Sequence, residues 1–284
     1  MKNVLKKSAL LLMGALVFSA CSEDPDTEAQ IEEANLTKPV PQKVVEQVQD
    51  LGMNPNFIRY DEFFFPDGTS EERLFIEEDI VMTEKQLTEM AEDFNSDPFA
   101  KQYRTSALVQ QGRNITIIGY TGGGGYGLSS KARTALQWAV NNYNRLSGVS
   151  ISFTLTFGTN FGDKDMVVYN NPTQSGSGGS AGFPSSGLPY KWVQIYGLDG
   201  FSTNVNEHVI THEIGHSVGF RHTDYFSRQS CGQNVNQGSA GVGAIYIPGT
   251  ATGYDATSIM LACFSASTNG EFNGNDITAL RSMY

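Results

Sequence analysis

The chain has 284 residues, 39% of them hydrophobic and 17% charged, and a formal net charge of -11. That length allows one large or two small domains at about 150 residues each. The modest charge content excludes a charge-rich disordered chain, and the acidic excess excludes a nucleic-acid binder, which needs a basic surface. The excess is uneven. Residues 1–21 hold three Lys and no acid, residues 22–105 hold 21 acids against 7 bases, and residues 106–284 hold 9 of each. Of the 30 glycines, 27 follow residue 105. Composition alone therefore separates a basic start, an acidic middle and a neutral, glycine-rich remainder.

Lys2, Lys6 and Lys7 precede an apolar run, Ala9 to Phe18, that is too short to span a bilayer. It ends in Phe18-Ser19-Ala20-Cys21, which resembles a bacterial lipobox, although Phe18 stands where Leu is usual. Residues 1–20 are thus expected to be a lipoprotein signal peptide and Cys21 the lipidated first residue. Ser22-Glu23-Asp24 is similar to the acidic export tag of surface lipoproteins, so an outer-membrane or cell-surface location is expected, with the lipid as the only membrane contact. An ordinary cleaved signal peptide is the alternative. With Cys21 lipidated, Cys231 and Cys263 remain in an oxidising compartment, and a disulfide between them is expected.

Residues 21–41 are acidic, contain Pro25, Pro39 and Pro41, and read as a tether. Residues 42–105 form a small acidic α+β module. Val44, Val45, Val48 and Leu51 recur at helical spacing up to Gly52. Phe63 to Phe65 predicts a strand entering the Pro66-Asp67-Gly68 turn, and Arg73 to Val81 a single strand leaving it. Thr83 with Gln86 predicts a capping box for a helix carrying Leu87, Met90, Ala91 and Phe94. Lys101 to Gln111 reads as a connector.

The third segment, 106–284, reads as a strand at Ile115 to Tyr120, a glycine loop, and a helix capped by Ser129 or Ser130 and stopped by Gly148. Strands follow at Ile151 to Phe157, Met166 to Tyr169 and Trp192 to Tyr196, with a Gly/Ser loop from Gln174 to Gly182. Asn204 with Glu207 is expected to cap the next helix, and Ile277, Leu280 and Met283 mark a last one. Gly122, Gly124 and Gly127 match a dinucleotide-binding spacing, but no acid lies between Gly127 and Asp163 to hold a ribose. They read as a plain glycine loop.

All four histidines fall between residues 208 and 222. His212-Glu213-Ile214-Gly215-His216 continues to Gly219 and His222 in the form H-E-x-x-H-x-x-G-x-x-H, the metzincin zinc signature. His212 and His216, four apart, share one helix face. A third ligand cannot come from that face, so the helix must end, and Gly219 permits the positive φ that ends it. His222 then completes three protein ligands. One Zn2+ ion with a fourth position left for water marks a catalytic site. Glu213 is expected to act as general base on that water and to return the proton to the leaving amine. His208 shares the face but is surplus to the set, so it is expected to pack. Asp224 and Arg228 are expected to pair across one helical turn.

The run from His212 to Asp224 resembles the dual-action HEIGH metallopeptidases of the metzincin clan, over roughly residues 75–284. The resemblance implies an α+β fold: a twisted, mostly parallel sheet, an active-site helix and an irregular C-terminal subdomain, preceded here by the small α+β module as pro-region. It implies that Met260, in Ser258-Ile259-Met260, forms a Met-turn beneath the metal. Ala262 stands where some metzincins have Tyr, so no further ligand is expected there. An edge strand near Ser180 to Ser185 should bind peptide, with Ala181, Gly182 and Phe183 at the cleft rim.

These readings predict a monomeric zinc endopeptidase precursor acting on proteins or peptides, with its own pro-region as inhibitor and a maturation cut near residues 100–112. No Cys lies in residues 22–105, so a cysteine cannot block the metal; an Asp or Glu could, and Asp97 is one candidate. The competing reading is a non-catalytic zinc-containing surface lipoprotein that binds host or envelope proteins. Glu213 speaks against it, since an inert site needs no base. Calcium sites are left open.

Overall fold

Two β-sheets organise the chain, and the boundary between them follows the break in composition. The computed structural model describes residues 38–96, 104–225, 227–233 and 247–284, all within one compact unit spanning 37–284. The signal peptide, Cys21, most of the tether and Asp97 lie outside the described residues. Among the described residues no helix is long and apolar enough to cross a membrane.

The acidic module begins with α1 (Gln42–Asp50), whose Val44 and Val48 are buried. Strands β1 (Ile58–Phe64), β2 (Ser70–Ile76) and β3 (Ile80–Met82) form an antiparallel three-stranded sheet in the order β1-β2-β3. Helix α2 (Glu84–Ser96) follows. Thr83 and Gln86 form the expected reciprocal cap: the Gln86 amide donates to Thr83 Oγ1 at 3.2 Å, and the Thr83 amide to Gln86 Oε1 at 2.9 Å. The single strand expected from Arg73 to Val81 is instead broken. Ile76 pairs with Ile80, so Glu77, Glu78 and Asp79 form a hairpin tip. Glu77 and Glu78 hold φ of 54° and 81°. Left-handed backbone is costly for such residues and persists only where the surroundings over-determine it. Those surroundings are the functional site.

The second sheet has five strands in the order β5-β4-β6-β8-β7. Strands β4 (Asn114–Tyr120), β5 (Ser152–Gly158), β6 (Met166–Asn170) and β8 (Trp192–Tyr196) are parallel, and β7 (Gly178–Ser180) runs antiparallel at the edge. The edge strand thus starts earlier than the expected 180–185 and takes up part of the Gly/Ser loop. Parallel β-branched strands need cover on both faces. One face is covered by α3 (Ser130–Asn144) and α4 (Thr203–Ser217), through Ile117, Val168, Val193, Leu136, Ile210 and Ile214. The acidic module helps cover the other face. Phe65 stacks edge-on against Trp192 at 5.0 Å, and the Phe64 carbonyl accepts from Tyr169 Oη and Gln194 Nε2, both at 2.7 Å.

Helix α3 starts at the expected Ser129 cap but ends at Asn144, one turn before Gly148. Helix α4 is capped by Ser202, whose hydroxyl accepts from the Val205 amide, and not by Asn204. Glu207 is drawn inward instead: its Oε1 accepts from Asn142 Nδ2 at 2.9 Å, which ties α4 to α3. Among the described residues after α4, one 3-10 turn (Gln229–Cys231) is the regular structure before α5 (Gly274–Met283).

Burial, aided by Glu271 and opposed by the Asn142 hydrogen bond, pushes the Glu207 carboxyl up to about 7. A raised folded-state pKa means stability that is complete below the unfolded value and lost as pH rises through the folded one. The melting temperature of Glu207→Gln should therefore gain on the native chain between about pH 5 and about pH 8. A constant difference across that range in a thermal melt would contradict this.

Candidate active site

Every side chain in α4 from Val205 to Ser217 is buried, which is why the helix carries no amphipathic stripe. Its C-terminus breaks at Gly219, φ 109°, after which the Phe220 amide returns to the Gly215 carbonyl at 2.9 Å. That reversal carries His222 back over the helix end. The structure brings His212, His216 and His222 together, with Nε2 of His222 3.2 Å from Nε2 of both other rings.

The opposite ring nitrogens settle what the converging atoms carry. His212 Nδ1 lies 2.8 Å from the Ile259 carbonyl and His216 Nδ1 2.8 Å from the Phe220 carbonyl. A carbonyl only accepts, so both Nδ1 atoms hold the proton. His222 Nδ1 faces Glu77 Oε2 at 2.8 Å and donates likewise. Nε2 of His212 and Nε2 of His216 therefore turn lone pairs toward His222 Nε2 across 3.2 Å. Burial would lower the His222 pKa, but Asp79 and Glu77 outweigh it and raise it to about 10, so His222 holds at this point the positive charge that a metal ion would supply in its place. A tetrahedral ion with nitrogen ligands about 2 Å away would hold the three nitrogens about 3.3 Å apart. The donor set therefore fits a metal ion.

A fourth donor is present. Asp79 Oδ2, at the hairpin tip, lies 2.9 Å from His222 Nε2 and 3.5 Å from His212 Nε2. Asp79, His212, His216 and His222 offer one ligand atom each, all within 4.8 Å of one another. Burial would raise the Asp79 pKa, but His222, His212 and His216 outweigh it and hold the carboxyl far below its usual range. The sequence reading missed Asp79. The signal was Glu77-Glu78-Asp79 itself, three acids interrupting the apolar run Leu74-Phe75-Ile76 and Ile80-Val81-Met82.

Glu213 is buried beside this cluster, and its Oε2 has no hydrogen-bond partner among the described residues. Burial first, and Asp79 second, push its pKa well above the usual carboxylate range. A cavity of about 240 Å³ opens here, lined by Glu78, Asp79, Ser177 to Gly179, Tyr196, His208, His212, Glu213 and Leu261 to Phe264. His208 stands apart from the metal-ligand cluster; its Nδ1 pairs with Thr268 Oγ1 at 2.8 Å, and burial pushes its pKa down to about 3.

Met260 is fully buried beneath the cluster, and its sulfur packs against Gly215, where a Cβ would lie 2.6 Å from Sδ. The glycine of the motif thus answers to a close approach from the floor of the site. Asp276 shapes that floor, accepting from Ser258 Oγ at 2.7 Å and from the Ile259 amide at 3.0 Å. Ile259 is also the residue whose carbonyl orients His212.

Asp224 and Arg228 do not form the expected side-chain pair. Asp224 accepts from the Ala262 amide and the Ser230 amide, both at 2.9 Å, and so ties the His222 segment to the segment after Met260. Arg228 turns to the acidic module and pairs with Glu78 Oε2 at 2.5 Å. The Cys231–Cys263 disulfide is formed, with Cα atoms 5.1 Å apart, and joins the same two segments.

Ala181, Gly182 and Phe183 lie under β3. The Val81 amide donates to the Ala181 carbonyl at 2.7 Å, and the Ala181 amide to the Asp79 carbonyl at 3.0 Å, in parallel pairing. A Cβ at Gly182 would lie 2.4 Å from the Val81 carbonyl oxygen. Phe183 packs edge-on to His216 at 5.8 Å and within the core of the acidic module.

The family profile of the dual-action HEIGH metallo-peptidases matches residues 74–284, from the middle of β2 to the C-terminus and including the hairpin tip. The chain belongs to that family. It is therefore a metallopeptidase, and its substrates are proteins or peptides. Two solved structures of myroilysin are similar at 18% and 19% identity, with TM-scores of 0.40 and 0.41. Each covers 63% of this HEIGH peptidase, and the matches span 82% and 86% of the respective myroilysin chains. No curated protein matches.

Removing the buried Asp224 carboxylate strands two half-buried backbone donors. Asp224→Ala should lower unfolding stability by about 2 kcal/mol, measured by urea denaturation with the disulfide intact. A change of a few tenths would show that the two segments hold together without it.

Proposed function

We propose that this HEIGH peptidase is a zinc endopeptidase made as an inhibited, lipid-anchored precursor. The observation that carries the reading is the convergence of three imidazole Nε2 atoms and the Asp79 carboxylate beside Glu213, whose Oε2 has no partner among the described residues. His212, His216 and His222 would hold the ion, fixed in tautomer and angle by Ile259, Phe220 and Glu77. Zinc, when bound, supplies an electrophile that acidifies water and polarises the scissile carbonyl.

The chain's own groups do the rest. Glu213 takes the proton from the attacking water at its free oxygen and later hands it to the leaving amine nitrogen. Its raised pKa suits a group that must hold a proton between the two steps. Ala181 offers its backbone amide and carbonyl to an extended peptide.

In the precursor those places are taken. Asp79 stands where the fourth donor would be, and β3 occupies the backbone groups of Ala181. We read residues 42–105 as the pro-region, residues 106–284 as the catalytic domain, and Asp79 as the residue that excludes water. A cut near residues 100–112 would separate the enzyme from a lipid on Cys21 at the outer membrane or cell surface. The enzyme is proposed to act as a monomer.

Glu213→Gln should lower casein digestion by the processed enzyme at least about a hundredfold, with one zinc per chain retained by elemental analysis. Equal digestion by both proteins would refute the assignment. Asp79→Ala should speed appearance of the processed form, followed by intact mass, because water then reaches Glu213. An unchanged rate would place the block elsewhere. A fully active chain still starting at Cys21 would remove the need for a cut.

A further inference from the structure

The residues on either side of His222 carry two guanidinium groups with almost no exposure. Arg221 is 2% exposed and Arg228 0%. Both are covered by the acidic module. Arg221 donates to the carbonyls of Leu51 and Gly52, at 2.8 and 2.7 Å, and lies 3.7 Å from Glu77 Oε1. Arg228 donates to the Glu77 carbonyl at 3.2 Å and to Glu78 Oε2 at 2.5 Å, with Phe57 stacked 4.4 Å from its guanidinium carbon.

Charge burial on this scale is costly unless each charge is paired and hydrogen-bonded, and here the pro-region supplies the pairing. Glu78 is the informative partner. Its side chain is half-exposed, and it lines the same cavity as His212 and Glu213. The Glu78–Arg228 pair therefore bridges from the wall of the cleft to the segment just past the third histidine. Glu78 precedes Asp79, so its carboxylate lies one residue from the group that faces the metal site. When the acidic module leaves, Arg221 loses the Leu51 and Gly52 carbonyls and Glu77, and Arg228 loses Glu77 and Glu78, the last of which lines the cleft that is about to receive another extended chain. A guanidinium presents a planar fork that matches a carboxylate in two parallel hydrogen bonds.

We propose that Arg221 and Arg228 form a carboxylate-binding site of the open cleft, filled by Glu77 and Glu78 in the precursor, which selects substrates bearing Glu or Asp close to the cleaved bond. The inference rests on the peptidase reading and on departure of the hairpin. It names a substrate class that the net charge of the catalytic segment, 9 acids against 9 bases, does not disclose. The pro-hairpin is the first ligand of this type, and its acidic triplet is the pattern to look for in others.

The test starts from the full chain, nicked by limited proteolysis in the 100–112 connector and assayed at high dilution with both pieces present. Its kcat/KM is measured on matched peptides with Glu, Gln or Lys at each of three positions on either side of the cleaved bond. The expected result is a preference of about tenfold for Glu over Gln at one or two of these positions. The Glu-to-Gln ratio should fall to near one in Arg228→Gln and be partly kept in Arg228→Lys. The ratio is internal to each protein, so a poor yield of folded variant does not imitate the effect. Should neither variant fold, the native ratio must still shrink with added salt. A native ratio of one or below overturns the inference and leaves the peptidase standing. Failure to cleave any peptide overturns both.

Discussion

Three imidazoles turn their Nε2 atoms to one buried point, His222 Nε2 lying 3.2 Å from both others, an arrangement that needs a positive charge at its centre. Each ring is held in that orientation by an acceptor on its far side, and those three acceptors recruit most of the irregular structure. The Phe220 carbonyl requires the helix to break at Gly219. The Ile259 carbonyl requires a fixed loop over the helix, which Asp276 and the Met260 packing provide. The third acceptor, Glu77, comes from outside the segment that carries the histidines. The metal-binding geometry is thus completed across the composition boundary.

That boundary explains why an acidic module is attached to a neutral one. Glu77, Glu78 and Asp79 each meet a positive or metal-directed partner on the other side: His222 and Arg221, Arg228, and the cluster itself. The consecutive left-handed backbone at Glu77 and Glu78 is held by these contacts, since nothing in a three-residue hairpin favours glutamate there. The same tip is fastened along its backbone to Ala181, so charge pairing and strand addition act on one short segment.

Much of this was legible in the residues. Parallel strands rich in β-branched side chains, the Ser129 and Thr83 caps and the histidine run announce their elements through local physics, and the structure places them as read. What escaped depends on partners distant in sequence. Arg73 to Val81 has the composition of one strand, and only the pull of Arg221, Arg228 and the histidines on its three acids folds it into two. Asp224 looked like a helical partner for Arg228 because spacing favours that pair, but no helix forms there. Glu207 was read as a cap; its burial against Asn142 leaves Ser202 to serve instead. For Asp224 and Glu207 a charged side chain is read against its neighbours along the chain, whereas burial chose partners near in space.

The parallel pairing of β3 with Ala181 has a consequence for how such a precursor would be released. Strand, carboxylates and the Phe65–Trp192 contact hold the hairpin by non-covalent forces, far in sequence from the connector proposed for cutting. Cutting the connector does not by itself empty the cleft; it turns a tethered segment into a separate ligand whose rebinding depends on concentration. Tethered, the hairpin faces the cleft at a local concentration set by the connector. Free, it competes only at whatever level the surroundings sustain. Crowded precursors on a surface would remain largely silent after cutting, and dilution away from that surface would wake them.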